Sequence, residues 1–140
     1  MTAPSITLRV LDELDYSRAQ HSQRQWTDAR TPDTADEIWL LSHPPVFTLG
    51  QAGKRHHILE AGDIPVVRSD RGGQVTYHAP GQVVLYTLLQ LRRYRLSVRG
   101  LVSLLENAVI DVLSEFGVAA VADPKAPGVY VDGAKIAALG

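Results

Sequence analysis

Apolar and polar residues alternate through Ile6-Thr7-Leu8-Arg9-Val10-Leu11, the two-residue period of a strand. Asp15 then stands as an N-cap for a helix over Tyr16–Ala29, whose apolar face is thin and consists of Tyr16, Ala19 and Trp26. Thr31-Pro32-Asp33 reads as a turn, and Glu37-Ile38-Trp39-Leu40-Leu41 as a short buried strand. His43-Pro44-Pro45 interrupts the apolar run, which resumes at Val46-Phe47-Thr48-Leu49 and passes into the flexible turn Gly50-Gln51-Ala52-Gly53-Lys54. Ile64-Pro65-Val66-Val67-Arg68 predicts an edge strand, because proline removes a ladder donor. Val83 to Leu89 is an apolar β-type run. The clearest periodicity lies between Val98 and Phe116. There Leu101, Leu104, Leu105, Ala108, Val109, Val112, Leu113 and Phe116 recur at three- and four-residue steps, with Ser97 as N-cap and Gly117 at C′. Val118 to Ala122 predicts a strand and Asp123–Gly128 a loop. Val129-Tyr130-Val131 pairs with Ile136-Ala137-Ala138-Leu139 as a hairpin across Asp132-Gly133-Ala134-Lys135, since Asp-Gly is a strong hairpin signal.

Several strands with two helices between them predict an α+β domain with a mixed, mostly antiparallel sheet, one domain spanning residues 1–140. The chain stops at Gly140 at the end of an apolar strand with no polar tail. The expectation is therefore the N-terminal part of a larger catalytic domain, truncated at its C-terminal end. Charged residues are 21% and the net charge is −1, so no global basic field exists to hold a nucleic acid or an anionic membrane. No apolar run approaches the ~18–20 residues that span a bilayer. Met1-Thr2-Ala3-Pro4-Ser5 lacks the charged start and apolar core of a secretory signal, and a cytoplasmic location is the default expectation. The 140 residues contain no cysteine, so thiol catalysis and thiolate metal sites are absent from them.

The stretch Arg71-Gly72-Gly73-Gln74-Val75-Thr76-Tyr77-His78-Ala79-Pro80-Gly81-Gln82 concentrates glycine, proline, arginine and histidine just before the apolar run at Val83. Two readings stand level on composition. One is a backbone cradle for a ligand, with Arg71 and His78 as hydrogen-bonding groups and Gly72 and Gly73 allowing close approach; the other is a structural turn with His78 satisfied by a carbonyl. Lys135 by residue type is a solvated charge, and its seat between a glycine turn and an apolar run is its one unusual feature. His43 has no sequence context that decides its role. His56-His57, as neighbours on a strand, would point to opposite faces, and no carboxylate or cysteine completes a metal site. Asp12, Glu13 and Asp15 read as a solvated helix entry. Arg92-Arg93-Tyr94-Arg95 with Arg99 reads first as a solvated loop, and second as a docking patch for an acidic partner.

The twelve-residue string resembles the signature of the lipoyl(octanoyl) transferase family. His43-Pro44-Pro45-Val46-Phe47-Thr48-Leu49-Gly50 is similar to the family's preceding segment, and Gly128-Val129-Tyr130-Val131 with Lys135-Ile136-Ala137-Ala138-Leu139-Gly140 to the segment around its essential lysine. The match runs from about Trp39 to Gly140. The resemblance implies a fold related to biotin and lipoate protein ligases. It also implies transfer of an octanoyl group from octanoyl-acyl carrier protein to a lysine of lipoyl domains in 2-oxoacid dehydrogenases and the glycine cleavage H protein. No cofactor and no metal are implied. Arg71, Gly72, Gly73, Gln74, Val75, Thr76, Tyr77 and His78 would line the acyl pocket, with Ala138, Leu139 and Gly140 adding contacts. Lys135 would favour the thiolate of a cysteine nucleophile and act in proton transfer. In the family that cysteine stands a few tens of residues beyond the lysine. Two alternatives remain: an ATP-dependent lipoate or biotin protein ligase, and a non-catalytic protein that binds acyl carrier protein or lipoyl domains. In lipoate ligases the loop continues past its histidine with Asp and then Gly-Asn, whereas Ala79-Pro80-Gly81-Gln82 follows His78 here.

Overall fold

The computed structural model describes residues 4–140. The chain forms two compact units, the first ending at Leu89 and the second beginning at Gln90. The first contains β1 (Ile6–Glu13), α1 (Tyr16–Ala29), β2 (Asp36–Ser42), β3 (Val46–Leu49), β4 (Val66–Arg68), β5 (Val75–His78) and β6 (Val84–Leu88). The second contains α2 (Val98–Glu115), β7 (Val121–Asp123), β8 (Ala126–Val131) and β9 (Ala134–Ala137). The α+β class and its mostly antiparallel pairing are as the pattern predicts. β1–β2 and β3–β4 are parallel, and β2–β6, β3–β5, β7–β8 and β8–β9 antiparallel. The strands divide among three sheets, β1-β2-β6, β4-β3-β5 and β7-β8-β9.

In the first unit, β2 and β3 are the central strands of their sheets, and the His43-Pro44-Pro45 break passes the chain from one sheet to the other. Trp39 and Leu41 of β2 with Leu88 of β6 form the apolar core, flanked by Leu11, Leu14, Trp26, Val84 and Tyr86. The alternation in β1 is real, but its apolar residues do not face this core: Ile6, Leu8 and Val10 are 42%, 60% and 63% exposed. The opposite face of β1 is tied down by charge. Arg9 donates from Nε and Nη2 to the two carboxylate oxygens of Glu37 at 2.7 and 2.8 Å, and Trp39 Nε1 donates to the same carboxylate at 2.6 Å. The bidentate pair outweighs apolar burial in orienting the strand, because Glu37 is buried and would otherwise be an unpaired charge. β4 is an edge strand, as Pro65 requires, although it begins only after that proline.

The Arg9 fork holds the Glu37 carboxyl at about 2, well below its usual 4.5, against the opposing effect of burial. A depressed carboxyl contributes stability above its unfolded value and loses it as pH falls from 4.5 through about 2. Because Arg9 is half exposed, the contribution is about 1–2 kcal/mol rather than the full linkage value. Denaturant titrations of Glu37→Gln are expected to show a flattened acid limb below pH 4.5 relative to the parent protein. An identical acid limb would remove Glu37 from the account.

In the second unit, Ser97 caps α2 by accepting from Gly100 N at 3.0 Å, and Gly117 takes φ +72° at its end, as the sequence predicts. Only part of the periodic face packs. Leu101, Leu105, Val109 and Leu113 are half-buried, while Leu104, Val112 and Phe116 are exposed. The hairpin turn is tighter than predicted. Asp132 and Gly133, with φ of +50° and +81°, connect β8 and β9 directly, and Ala134 and Lys135 already belong to the strand. β7 starts at Val121, later than Val118, and the predicted loop Asp123–Gly128 shrinks to Pro124-Lys125. Among the described residues no helix is long and apolar enough to cross a membrane.

Candidate functional site

The glycine-rich string is not a continuous loop. Val75-Thr76-Tyr77-His78 form β5 and pair with β3 in the register Val46↔His78 to Leu49↔Val75. The loop proper is Asp70 to Gln74, and it is seated on the chain just after β3. Gly50 N donates to Gln74 O at 2.6 Å, Gln51 N to Arg71 O at 2.9 Å, and Ala52 N to Gly73 O at 3.1 Å. A methyl built on Gly50 would collide with the carbonyl of Gly73 and lie 2.7 Å from that of Gly72, so the seat requires glycine. Gly73 itself has φ +83°.

Arg71 braces this loop from within. Nη1 donates to Gly72 O at 2.6 Å, and Nη2 to Thr48 Oγ1 at 2.7 Å, Thr48 O at 2.9 Å and Gln74 O at 3.3 Å. Thr48 is fully buried on the central strand, so the guanidinium couples the loop to the most protected part of the sheet. The result is a row of exposed, fixed backbone at Gly72, Gly73 and Gln74. From the other side, α1 meets the loop base: Gln20 Nε2 donates to Ser69 Oγ at 3.2 Å and Arg24 pairs with Asp70 at 3.4 Å.

His78 closes β5 and belongs to a cluster of four rings. Its ring stacks on Tyr16 at 5.9 Å and meets His43 edge-on at 5.5 Å, and His43 also contacts Tyr16 and Tyr86 at 5.2 and 5.8 Å. The network fixes both tautomers. His43 is fully buried; Nδ1 faces only the carbonyl of Leu14, at 2.6 Å, and must donate. Its Nε2 therefore accepts from Tyr86 OH at 2.7 Å. Gln82 donates from Nε2 to Tyr77 O at 3.2 Å, which turns its Oε1 toward His78 Nδ1 at 2.6 Å. His78 Nδ1 thus carries the proton, and its Nε2 offers a lone pair. Burial lowers the pKa of both histidines below 6.5, and burial raises that of Tyr86, so all three are neutral near pH 7.

Lys135 lies in the second unit and is exposed, the state its residue type predicts. Its environment is nonetheless specific. The β8–β9 register runs Tyr130↔Lys135 and then Val129↔Ala137, which leaves Ile136 as a bulge beside Lys135. Lys135 Nζ lies 5.6 Å from the centre of the Tyr130 ring, and Tyr130 OH donates to Ala126 O at 3.0 Å. A methyl built on Gly128 would lie 3.1 Å from Lys135 Cε. Ala138, Leu139 and Gly140 follow β9 without strand pairing, which shortens the predicted strand Ile136–Leu139 to its first half.

Among the residues named from sequence, the structure unites Arg71, Gly72, Gly73, Gln74, Val75, Thr76, Tyr77 and His78 around the β3–β5 pair, and places Lys135, Ala138, Leu139 and Gly140 on and after β9. It adds Thr48, Gly50, His43, Tyr16, Tyr86, Gln82 and Glu106. A carboxylate inside the packed stripe of α2, next to Leu105 and Val109, was a visible signal for Glu106. His56 and His57 sit on a one-turn 3-10 helix (Arg55–His57) rather than a strand, with rings 4.5 Å apart. No group of three metal-ligating side chains gathers among the described residues.

The fold is that of lipoate ligases. A lipoate-protein ligase A bound with ATP superposes with TM-score 0.63 at 13% identity, covering 89% of this chain and 53% of that one. P. falciparum LipL1 in complex with lipoate gives 0.60 at 14% identity, covering 94% and 42%. Residues 15–140 match the lipoyl protein ligase A/B catalytic domain, and the chain belongs to that family. Within it, an octanoyltransferase of Alkalilimnicola ehrlichii is 58% identical over 96% of this chain and 63% of its own length. That of Colwellia psychrerythraea is 54% identical over 99% of this chain and 59% of its own length. The chain thus spans about three fifths of these relatives.

Proposed function

We propose that the protein transfers an octanoyl group from octanoyl-acyl carrier protein to a specific lysine of lipoyl domains. The acceptors are the lipoyl domains of 2-oxoacid dehydrogenases and the glycine cleavage H protein, and the setting is the cytoplasm. The observation that carries this reading is the 54–58% identity to octanoyltransferases across nearly the whole chain. A cysteine thiolate attacks the thioester carbonyl and expels the pantetheine thiolate; the acceptor amine then attacks the acyl-enzyme, forms the amide and releases the cysteine. The activated thioester makes ATP unnecessary. By the resemblance, the nucleophile follows Lys135 by a few tens of residues in the complete gene product.

The fixed backbone at Gly72–Gln74 and the His78 Nε2 lone pair suit the amide-bearing pantetheine arm, whose carbonyls can accept from backbone N–H groups and whose N–H groups can donate to the imidazole. As the ammonium, Lys135 supplies positive charge to the thiolate and gives its proton to the departing pantetheine thiolate; as the neutral amine it then takes the proton that the acceptor amine loses. Octanoic acid with ATP and a lipoyl domain separates this reading from a ligase. The complete gene product is expected to release no pyrophosphate and to leave the lipoyl domain unmodified. Stoichiometric pyrophosphate and an acylated lysine would make it a ligase.

A further inference from the structure

Glu106 is the only buried residue on α2, at 7% exposure, and among the described residues its carboxylate has no cation within ion-pair distance. Oε2 instead accepts from the backbone N–H of Gly128 at 3.0 Å, across 22 residues of sequence. Gly128 has φ +141°, a conformation that suits glycine, and it lies on β8 directly beneath the stem of Lys135. A methyl there would stand 3.1 Å from Lys135 Cε, 3.4 Å from its Cδ and 2.9 Å from the carbonyl oxygen of Ala137. One residue pair further along the ladder, the bulge at Ile136 turns Lys135 onto the face where Tyr130 sits.

We propose that Glu106 is a positioning residue for Lys135: its carboxylate pins the Gly128 peptide, and the pinned, side-chain-free backbone is the bed on which the lysine stem lies. The inference rests on the reading of Lys135 as the functional lysine. A buried carboxylate costs several kcal/mol in desolvation unless it is well bonded, and a packed leucine would stabilise an ordinary helix–sheet contact better. The acid is therefore retained for what it holds. With the Gly128 N–H released, β8 can shift by a fraction of an ångström, and the ammonium head, at the end of four methylenes, shifts with it.

The test is kinetic and uses the complete gene product with octanoyl-acyl carrier protein and a lipoyl domain. Glu106→Gln keeps an oxygen acceptor at the same reach; Glu106→Asp keeps the charge but withdraws the acceptor by one methylene. The expected result is near-parental kcat for Glu106→Gln, and kcat reduced by roughly 10- to 100-fold with unchanged KM for Glu106→Asp, the scale of a sub-ångström misplacement. Both substitutions are small enough to be compared at matched melting behaviour. Parental kcat in Glu106→Asp, or a greater loss in Glu106→Gln than in Glu106→Asp, overturns the proposal. Lys135→Ala measured alongside separates the two levels. If it is inactive while Glu106→Asp is unimpaired, the positioning role alone fails. If it is fully active, the reading of Lys135 fails and the inference falls with it.

Discussion

Lys135→Ala in the complete gene product is expected to abolish octanoyl transfer, lowering kcat by about 10³-fold or more, the scale of a positioned acid–base group combined with loss of a charge beside the nucleophile. Lys135 is exposed, so the substitution should leave stability within about 0.5 kcal/mol of the parent. The effect is therefore separable from unfolding. The second unit contains one other lysine, Lys125, in the turn between β7 and β8. Lys135→Arg adds a further distinction. A guanidinium keeps the positive charge but does not give up a proton near neutral pH. Transfer should remain reduced by ~10²-fold in that variant if the amine moves a proton, and should recover if charge alone matters. Full activity in Lys135→Ala would remove the residue from the mechanism.

Arg71→Ala is expected to carry the largest structural cost at the site. The guanidinium makes four hydrogen bonds, two of them to the fully buried Thr48, and all four accept from a single side chain. Its removal leaves the Thr48 hydroxyl without that donor and frees the Gly72 carbonyl, while Gln74 O keeps its bond from Gly50 N. A cost of about 2–4 kcal/mol follows from a charge-assisted, partly buried network. The loop would lose its fixed backbone, so KM for the acyl donor should rise together with the loss of stability. Arg71→Lys should recover little, because a single ammonium cannot span Gly72 O and Thr48 at once. Denaturant midpoints and donor KM for the two variants give the answer; unchanged values in Arg71→Ala would contradict the bracing role.

The parts of the fold legible in the sequence are those fixed by local chemistry. α2 has caps at both ends and a long apolar period, and the Asp132-Gly133 turn takes the two positive φ values such pairs favour. β5 was hidden because glycine and proline dominate its surroundings, yet Val75, Thr76 and Tyr77 are strand-forming residues once β3 lies beside them. The inward face of β1 was not legible for a similar reason: alternation shows that a strand exists, but only its partner shows which side faces inward. Arg9 found Glu37 on β2, and that contact is non-local. In the site, the residue types of Arg71, His78 and Lys135 were visible, but their roles in bracing, tautomer control and bedding depend on Thr48, Gln82 and Gly128. Glu106 is marked in the sequence by its place in the packed stripe of α2, but its bond to Gly128 joins two elements, so spacing along the chain could not reveal that contact.

The central claim is acyl transfer from a carrier protein to a lipoyl-domain lysine, and intact-mass spectrometry of the acceptor tests it most directly. The complete gene product, incubated with octanoyl-acyl carrier protein and an unmodified lipoyl domain without ATP, is predicted to add one octanoyl group to a single lysine of that domain. An acceptor of unchanged mass, with the carrier protein or the lipoyl domain held in a stable complex, would contradict catalysis and leave a binding protein in its place.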